Sequence, residues 1–327
     1  MKSAAFAALA MAGGVAAQAQ VTVDYVIVGN AGNAADTSGY GAVAYTYDIG
    51  KYEVTNAQYA GFLNAVAATD SYSLYNTNMS GQYGGITRTG SSGSYSYALK
   101  SGFENKAVNY VSFWDAARFT NWLNNGQGNA STETGSYTLG GVTNPTNSSV
   151  TRNEGAGVVV ASKNEWYKAA YYDPTKNSGA GGYWLHATQS DTLANNTDFT
   201  ATNGANYYDG DHTVYNGSND GALAVGSYEN ADSFYGTFDQ GGNLWEWNES
   251  ISSTWREVRG GSWNFDEVMM RSSNRDLLEA WDEDFSVSFR VASLAPIPEP
   301  STYAAALGGA SLAVVLLRRR KAARGTR

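Results

Sequence analysis

The chain has 327 residues and a formal net charge of −9, with 37 Gly, 23 Tyr and 9 Trp but no cysteine and two histidines, His186 and His212. The missing cysteines exclude disulfides, thiol nucleophiles, thiolate metal sites and c-type haem, and two histidines cannot make a three-histidine metal centre within one chain. The acidic balance excludes nucleic acid as a partner, because phosphate backbones demand basic surface.

Residues 1–19 read as a secretory signal peptide: Lys2, an alanine-rich apolar stretch, and a small-x-small site at Ala17-Gln18-Ala19. The working domain then spans residues 20–295, long enough to bury a core without disulfides. Strands are predicted over residues 21–28 and 45–49. Three helices announce their starts with capping boxes. Thr55-Asn56-Ala57-Gln58 opens a helix running to about Ala67. Ser112-Phe113-Trp114-Asp115 opens a second, with Asp115 suited to the positive helix end and a stop near Asn125-Gly126. Ser162-Lys163-Asn164-Glu165 opens a third that reaches Tyr171, with Pro174 just beyond. Between them, residues 69–102 (rich in Tyr, Ser, Gly and Thr) and 125–155 (rich in Asn, Thr and Gly) read as surface loops. No solenoid or propeller repeat is present. Glycine-rich loops with many aromatics predict short elements held by large side chains.

The chain ends in Pro298-Glu299-Pro300, an uncharged stretch over residues 301–317 and the basic cluster Arg318-Arg319-Arg320-Lys321. That stretch is at the lower length limit for a membrane span, and the basic cluster is expected on the cytoplasmic side. The arrangement of residues 296–327 resembles the PEP-CTERM sorting signal of Gram-negative bacteria. The resemblance implies export across the inner membrane, transient membrane anchoring, cleavage by an exosortase, and release to the cell surface or extracellular matrix. Without both ends the domain keeps 14 Lys+Arg against 29 Asp+Glu, a net charge of −15.

The strongest signal is a succession of segments. Tyr52-Glu53-Val54-Thr55-Asn56-Ala57-Gln58-Tyr59 is followed by Asn109-Tyr110-Val111-Ser112-Phe113-Trp114-Asp115-Ala116-Ala117, and then by Ala161-Ser162-Lys163-Asn164-Glu165-Trp166. Gly242-Asn243-Leu244-Trp245-Glu246-Trp247, Val258-Arg259-Gly260-Gly261-Ser262-Trp263 and Phe289-Arg290-Val291-Ala292 complete it. This order resembles the formylglycine-generating-enzyme, or sulfatase-modifying-factor, family over about residues 21–293. The resemblance implies an α+β fold of modified C-type-lectin type, loop-rich, with short strands and about three main helices. Read from the residues alone, Trp245 and Trp247 alternate on an extended segment and serve as core or platform. Gly260-Gly261 suits a tight turn. Arg259, Arg271, Arg275 and Arg290 are expected to pair internally with acids such as Glu246 and Asp276.

Active members of that family hold Cu(I) with two cysteines placed shortly after the Gly-Gly-Ser, and use it with oxygen to oxidise a substrate cysteine. Alignment on Gly260-Gly261-Ser262 puts Phe265 and Met270 at those positions. Phe265 cannot ligate, and thioethers without a thiolate make a poor copper site; methionine as core filler is the preferred role. Ser262 matches a family active-site serine but supports no reaction alone. No copper is therefore expected, and catalysis is not. The resemblance does imply structural Ca²⁺. One site falls on Asp239, Gly242 (carbonyl), Leu244 (carbonyl) and Glu246; a second falls on Asn206, Tyr207 (carbonyl), Asp220 and Ala222 (carbonyl). Such oxygen sets suit a hard cation. The function expected is an exported, non-catalytic binding or structural protein whose partner is an exopolysaccharide or a surface protein. The alternatives are an oxidoreductase with atypical copper ligands and an accessory subunit of a catalytic homologue.

Overall fold

The computed structural model describes residues 20–141, 149–193, 196–210 and 221–294. The expected signal peptide and sorting tail lie outside the described residues, as do His212 and Asp220. Among the described residues no helix is long and apolar enough to cross a membrane.

In chain order the elements are β1 (Tyr25–Val28), β2 (Tyr47–Gly50), α1 (Asn56–Val66), β3 (Ile86–Thr89), β4 (Ser96–Leu99), α2 (Phe113–Asn124), β5 (Val158–Val160), α3 (Lys163–Tyr171), β6 (Tyr172–Asp173) and β7 (Gly182–Tyr183). The C-terminal part adds β8 (Trp245–Ser252), β9 (Trp255–Arg259), β10 (Asp276–Glu279), β11 (Val287–Phe289) and β12 (Val291–Ser293). The architecture is α+β, as expected.

All three capping boxes form. The Thr55, Ser112 and Ser162 side chains each accept from the backbone N–H three residues on, and Gln58, Asp115 and Glu165 reach back to the cap N–H. This satisfies donors that a helix start otherwise leaves open. Thr55→Ala is expected to cost about 1 kcal/mol, measured as a shift in the urea midpoint. Helix α2 is buried on nearly every side from Phe113 to Trp122, which makes it the central rod of the core. Its Phe119 and Trp122 form a cluster with Tyr59, Phe62 and Phe289, with ring centroids between 5.3 and 6.5 Å apart.

Strand β1 begins later than the apolar pattern predicts. The Val21 backbone is held instead by the Gln127 side chain, which accepts from its N–H at 2.7 Å and donates to its carbonyl at 2.8 Å. The segment 69–102 is a folded hairpin rather than the surface loop expected. It pairs β3 with β4 and buries Leu74, Tyr75, Met79, Ile86 and Tyr97. Arg88 stacks on Tyr75 and Tyr95 and pairs with Asp70 at 3.0 Å. Low complexity concealed this, because tyrosine supplies core area while a polar tip still finds partners. Within 125–155, Tyr137 and Leu139 are buried, and the Asn121 side chain bonds the backbone of both Thr132 and Tyr137.

Two four-stranded sheets carry the domain. One has the order β1-β2-β12-β5 and the other β10-β9-β8-β11. β11 lies parallel to β8, whereas β12 lies antiparallel to β2 and β5. A single residue, Arg290, therefore separates a strand of one sheet from a strand of the other.

Candidate functional site

The Trp-Glu-Trp segment is the start of β8, and all three of its side chains are buried. Trp245 and Trp247 are core residues: Trp247 Nε1 donates to the Val111 carbonyl at 2.9 Å, and Trp245 meets Phe265 edge-on. Glu246 is fully buried. Its carboxylate accepts from Arg290 Nε at 2.6 Å, from Arg290 Nη2 at 2.5 Å and from Trp166 Nε1 at 2.7 Å. Arg290 also donates to the carbonyls of Gly50 and Phe238. It thus joins β8 and β2 at the point where the chain passes between sheets. The expected internal pairing of arginines holds for Arg290 with Glu246 and Arg259 with Glu257, whereas Arg271 pairs with Glu267 at the surface. Asp276 is a correction: it turns to the Leu277 N–H, and Arg275 pairs with Glu257 instead.

Two further carboxylates surround this pair. Glu53 is 1% exposed; one oxygen accepts from Asn243 at 2.8 Å, and the other lies 3.9 Å from Arg290 with no hydrogen-bond partner among the described residues. Asp239 accepts from the Gly226 N–H at 2.6 Å. Three acids thus face one guanidinium. Burial, with Asp239 and Glu246 nearby, drives the Glu53 carboxyl well above the usual carboxylate range. Burial also pushes Asp239 up to about 6, against the pull of the Gly226 bond and Arg290. Glu53 and Asn243 were not singled out as site residues from the sequence. Both lie inside the quoted motifs, but motif membership alone does not separate them from their packing neighbours.

The expected cation ligands of the first set belong to the same cluster, whereas Asp220 of the second lies outside the described residues. Asn243 and Gly242 both adopt left-handed backbone, with φ of 59° and 83°. A Cβ on Gly242 would come within 2.4 Å of the Asn206 carbonyl oxygen, so this position requires glycine. Leu244 is fully buried, and among the described residues neither its carbonyl nor that of Gly242 accepts a hydrogen bond. Orphaned buried carbonyls are uncommon without a partner. In the second set, Asn206 Oδ1 is buried and unpartnered among the described residues. The Tyr207 carbonyl accepts from Asn196 at 2.7 Å, and Ala222 is buried nearby. No three His, Asp or Glu side chains converge in metal-binding geometry among the described residues. A cation here would therefore draw on carbonyl oxygens as well as carboxylates. Both Glu246 oxygens are already taken by Arg290 and Trp166, so the groups that fit a hard divalent cation are Asp239, Asn206 Oδ1 and the carbonyls of Gly242 and Leu244.

The copper positions do not fit their metal. Phe265 packs its ring against Trp245 at 5.7 Å. Met270 is 1% exposed and rests on Gly261. Ser262 Oγ donates to Asn264 at 2.6 Å. Gly261 has φ of 74°, and a Cβ there would lie 2.8 Å from Met270 Cγ and 3.1 Å from the Met269 carbonyl carbon. Gly261→Ala is expected to destabilise the fold by about 2 kcal/mol or more, through backbone strain and overpacking together; thermal unfolding reads this directly.

A separate open cleft of about 510 Å³ lies between residues 34–37 and the β6–β7 hairpin, within the range of ligand sites. Neither Phe265 nor Met270 lines it. His186 is buried and its backbone N–H bonds the Ser190 carbonyl.

The profile of the sulfatase-modifying factor enzyme 1-like domain matches residues 14–295. A search of curated protein sequences finds no match. Among solved structures, the chain is similar to CarF at 18% identity and a TM-score of 0.50, covering 84% of this chain and 98% of that one. It is similar to Treponema denticola variable protein 1 at 16% identity and a TM-score of 0.50, covering 83% and 95%. PvdO from Pseudomonas aeruginosa aligns at 16% identity and a TM-score of 0.45, covering 83% and 91%.

Proposed function

This chain belongs to the sulfatase-modifying factor enzyme 1-like family, and from that premise we propose that it is a non-catalytic binding or structural protein. Its α+β architecture is the formylglycine-generating-enzyme-like fold. The observation that carries the proposal is the packing at the positions of the family's copper ligands: Met270 is buried in the apolar interior and Phe265, half-buried, lies against Trp245. No thiolate is available from a chain without cysteine, and soft Cu(I) has nothing to replace it. Calcium on Asp239, Gly242, Leu244 and Glu246, and on Asn206, Tyr207, Asp220 and Ala222, would serve as a structural ion that neutralises surplus acid. Export and exosortase sorting, read from the two ends of the sequence, would deliver this scaffold to the cell surface or matrix. There an exopolysaccharide or a surface protein is the partner.

The test is metal content and oxygen uptake. The purified protein is expected to carry no copper and to consume no oxygen on a cysteine-containing peptide. A Phe265→Cys/Met270→Cys variant is expected to acquire Cu(I), which checks that the position itself is competent. Stoichiometric copper with oxygen consumption in the unaltered protein would establish an oxidoreductase with atypical ligands and overturn the proposal. Co-purification with a catalytic homologue would instead make it an accessory subunit.

A further inference from the structure

The cleft between residues 34–37 and the β6–β7 hairpin presents three aromatic side chains, Tyr172, Tyr183 and Trp184, on its walls. Each is held in place before any ligand arrives. The Tyr183 hydroxyl donates to the Ala34 carbonyl at 2.7 Å and accepts from Asn33 at 2.8 Å. Its ring rests where any side chain at position 41 would come within 2.6 Å, a place kept open by Gly41. The Tyr172 hydroxyl sits in the same way on Gly181, 2.5 Å from where a Cβ would be. Trp184 Nε1 donates to Asp173 at 3.1 Å, and the Lys176 ammonium lies 3.4 Å from the centre of the indole ring. Rings fixed in this way lose little entropy on binding.

The polar groups of the cleft set the ligand's chemistry. Asp36 and Asp191 line it. Partial burial opposes their ionisation, but hydrogen bonds from Ser38, Tyr167 and Tyr40 to Asp36, and from Leu185 and Lys176 to Asp191, hold both carboxyls below the ordinary range. They are therefore acceptors for hydroxyl groups. The nearby cation is already committed, since Lys176 Nζ contacts both Asp191 oxygens at 3.1 Å. An anionic ligand would meet two carboxylates and no free positive charge in a chain of net −9, which Coulomb repulsion disfavours. Aromatic walls, carboxylate acceptors and the lack of an available cation describe a seat for stacked, hydroxyl-bearing rings without charge.

We propose that this cleft binds an uncharged oligosaccharide, with its sugar faces on Tyr172, Tyr183 and Trp184 and its hydroxyls on Asp36 and Asp191. This rests on the binding-protein reading and gives it a ligand class and a location. Binding is measured by calorimetry on the full chain, with hexaoses of glucose, mannose and N-acetylglucosamine, and with an oligogalacturonate as the charged counterpart. At least one neutral hexaose binds, and the oligogalacturonate does not. Trp184→Ala weakens binding about tenfold, the loss of one aromatic contact. Thr37→Trp, at an exposed position on the rim, abolishes binding by filling the cleft while leaving the melting temperature unchanged. Trp255→Ala/Trp281→Ala removes two exposed indoles elsewhere, 42% and 47% exposed, and leaves binding intact.

No binding by any neutral hexaose overturns the proposal. So does binding that survives Thr37→Trp, or that is lost only in the Trp255→Ala/Trp281→Ala variant, or preference for the oligogalacturonate. Failure of the parent reading shows in oxygen uptake, which none of these titrations changes, so the two failures are distinguishable.

Discussion

Replacing Arg290 by methionine is expected to lower the unfolding free energy by about 3–5 kcal/mol, seen as a fall in the urea midpoint at unchanged slope. Arg290 is fully buried and makes two hydrogen bonds to Glu246, with others to the Gly50 and Phe238 carbonyls. Removing it strands Glu246 beside Glu53 and Asp239 with no opposing charge. It also opens the junction where β11 of one sheet becomes β12 of the other. The loss is a large fraction of the ~5–15 kcal/mol that holds a typical domain together. Arg290→Met/Glu246→Gln should recover part of it, because the buried uncompensated carboxylate is gone while the orphaned carbonyls remain. A single variant within about 1 kcal/mol of the original protein would show that the two sheets are held by strand pairing alone.

The second large effect is a calcium response that depends on pH. The Asp239 carboxyl is raised to about 6 from 3.8, and Glu53 is raised in the same direction. Groups raised in the folded state hold their protons more tightly there than in the open chain. The contribution of Asp239 is complete below about pH 4 and is lost as the pH climbs through 6, and that of Glu53 runs in the same direction. In chelator the protein should therefore lose stability between pH 4 and 7. Asp36, Asp191 and Glu165 are lowered instead, so their contribution disappears only in more acidic solution, outside this window. A calcium ion held at this cluster, as proposed, would compete with the proton on Asp239. Its stabilisation should be near zero at pH 4.5 and about 3–4 kcal/mol at pH 7.5, with the ion two to three orders of magnitude above its Kd. Asp239→Asn should abolish the calcium gain and reduce the pH slope, the remainder coming from Glu53, Asp115, Glu249 and Glu283, whose carboxyls burial also raises. A melting temperature indifferent to calcium at pH 7.5 would count against a cation at this cluster and leave Glu53 simply protonated.

The helices were legible because their information is local. Thr55, Ser112 and Ser162 each meet a partner three residues on, and the capping geometry needs nothing from the rest of the chain. The Arg290–Glu246 pair was partly legible, since burying one charge demands the other. The hairpin in residues 69–102 was not legible. Its alternation of Tyr and Ser carries a weak hydrophobic period, and its core face forms where Tyr75 packs on Tyr97 and Tyr97 bonds the Ala67 carbonyl at the end of α1. Glu53 escaped for a related reason: its environment comes from Asn243, Asp239 and Arg290, residues remote from it in sequence.

By itself the sequence determined the helix starts, the absence of thiol chemistry, the acidic character and, through the order of its motifs, the fold class. These rest on residue identity and short-range spacing, which survive without coordinates. Only the tertiary structure decided that Met270 is buried with Phe265 half-buried against Trp245, and that three carboxylates share one guanidinium. It alone also gathered Asp36, Tyr172, Tyr183, Trp184 and Asp191 around one cleft. Those outcomes depend on which strands pair across long separations, and that choice is made by burial summed over the whole chain rather than by any local run of residues.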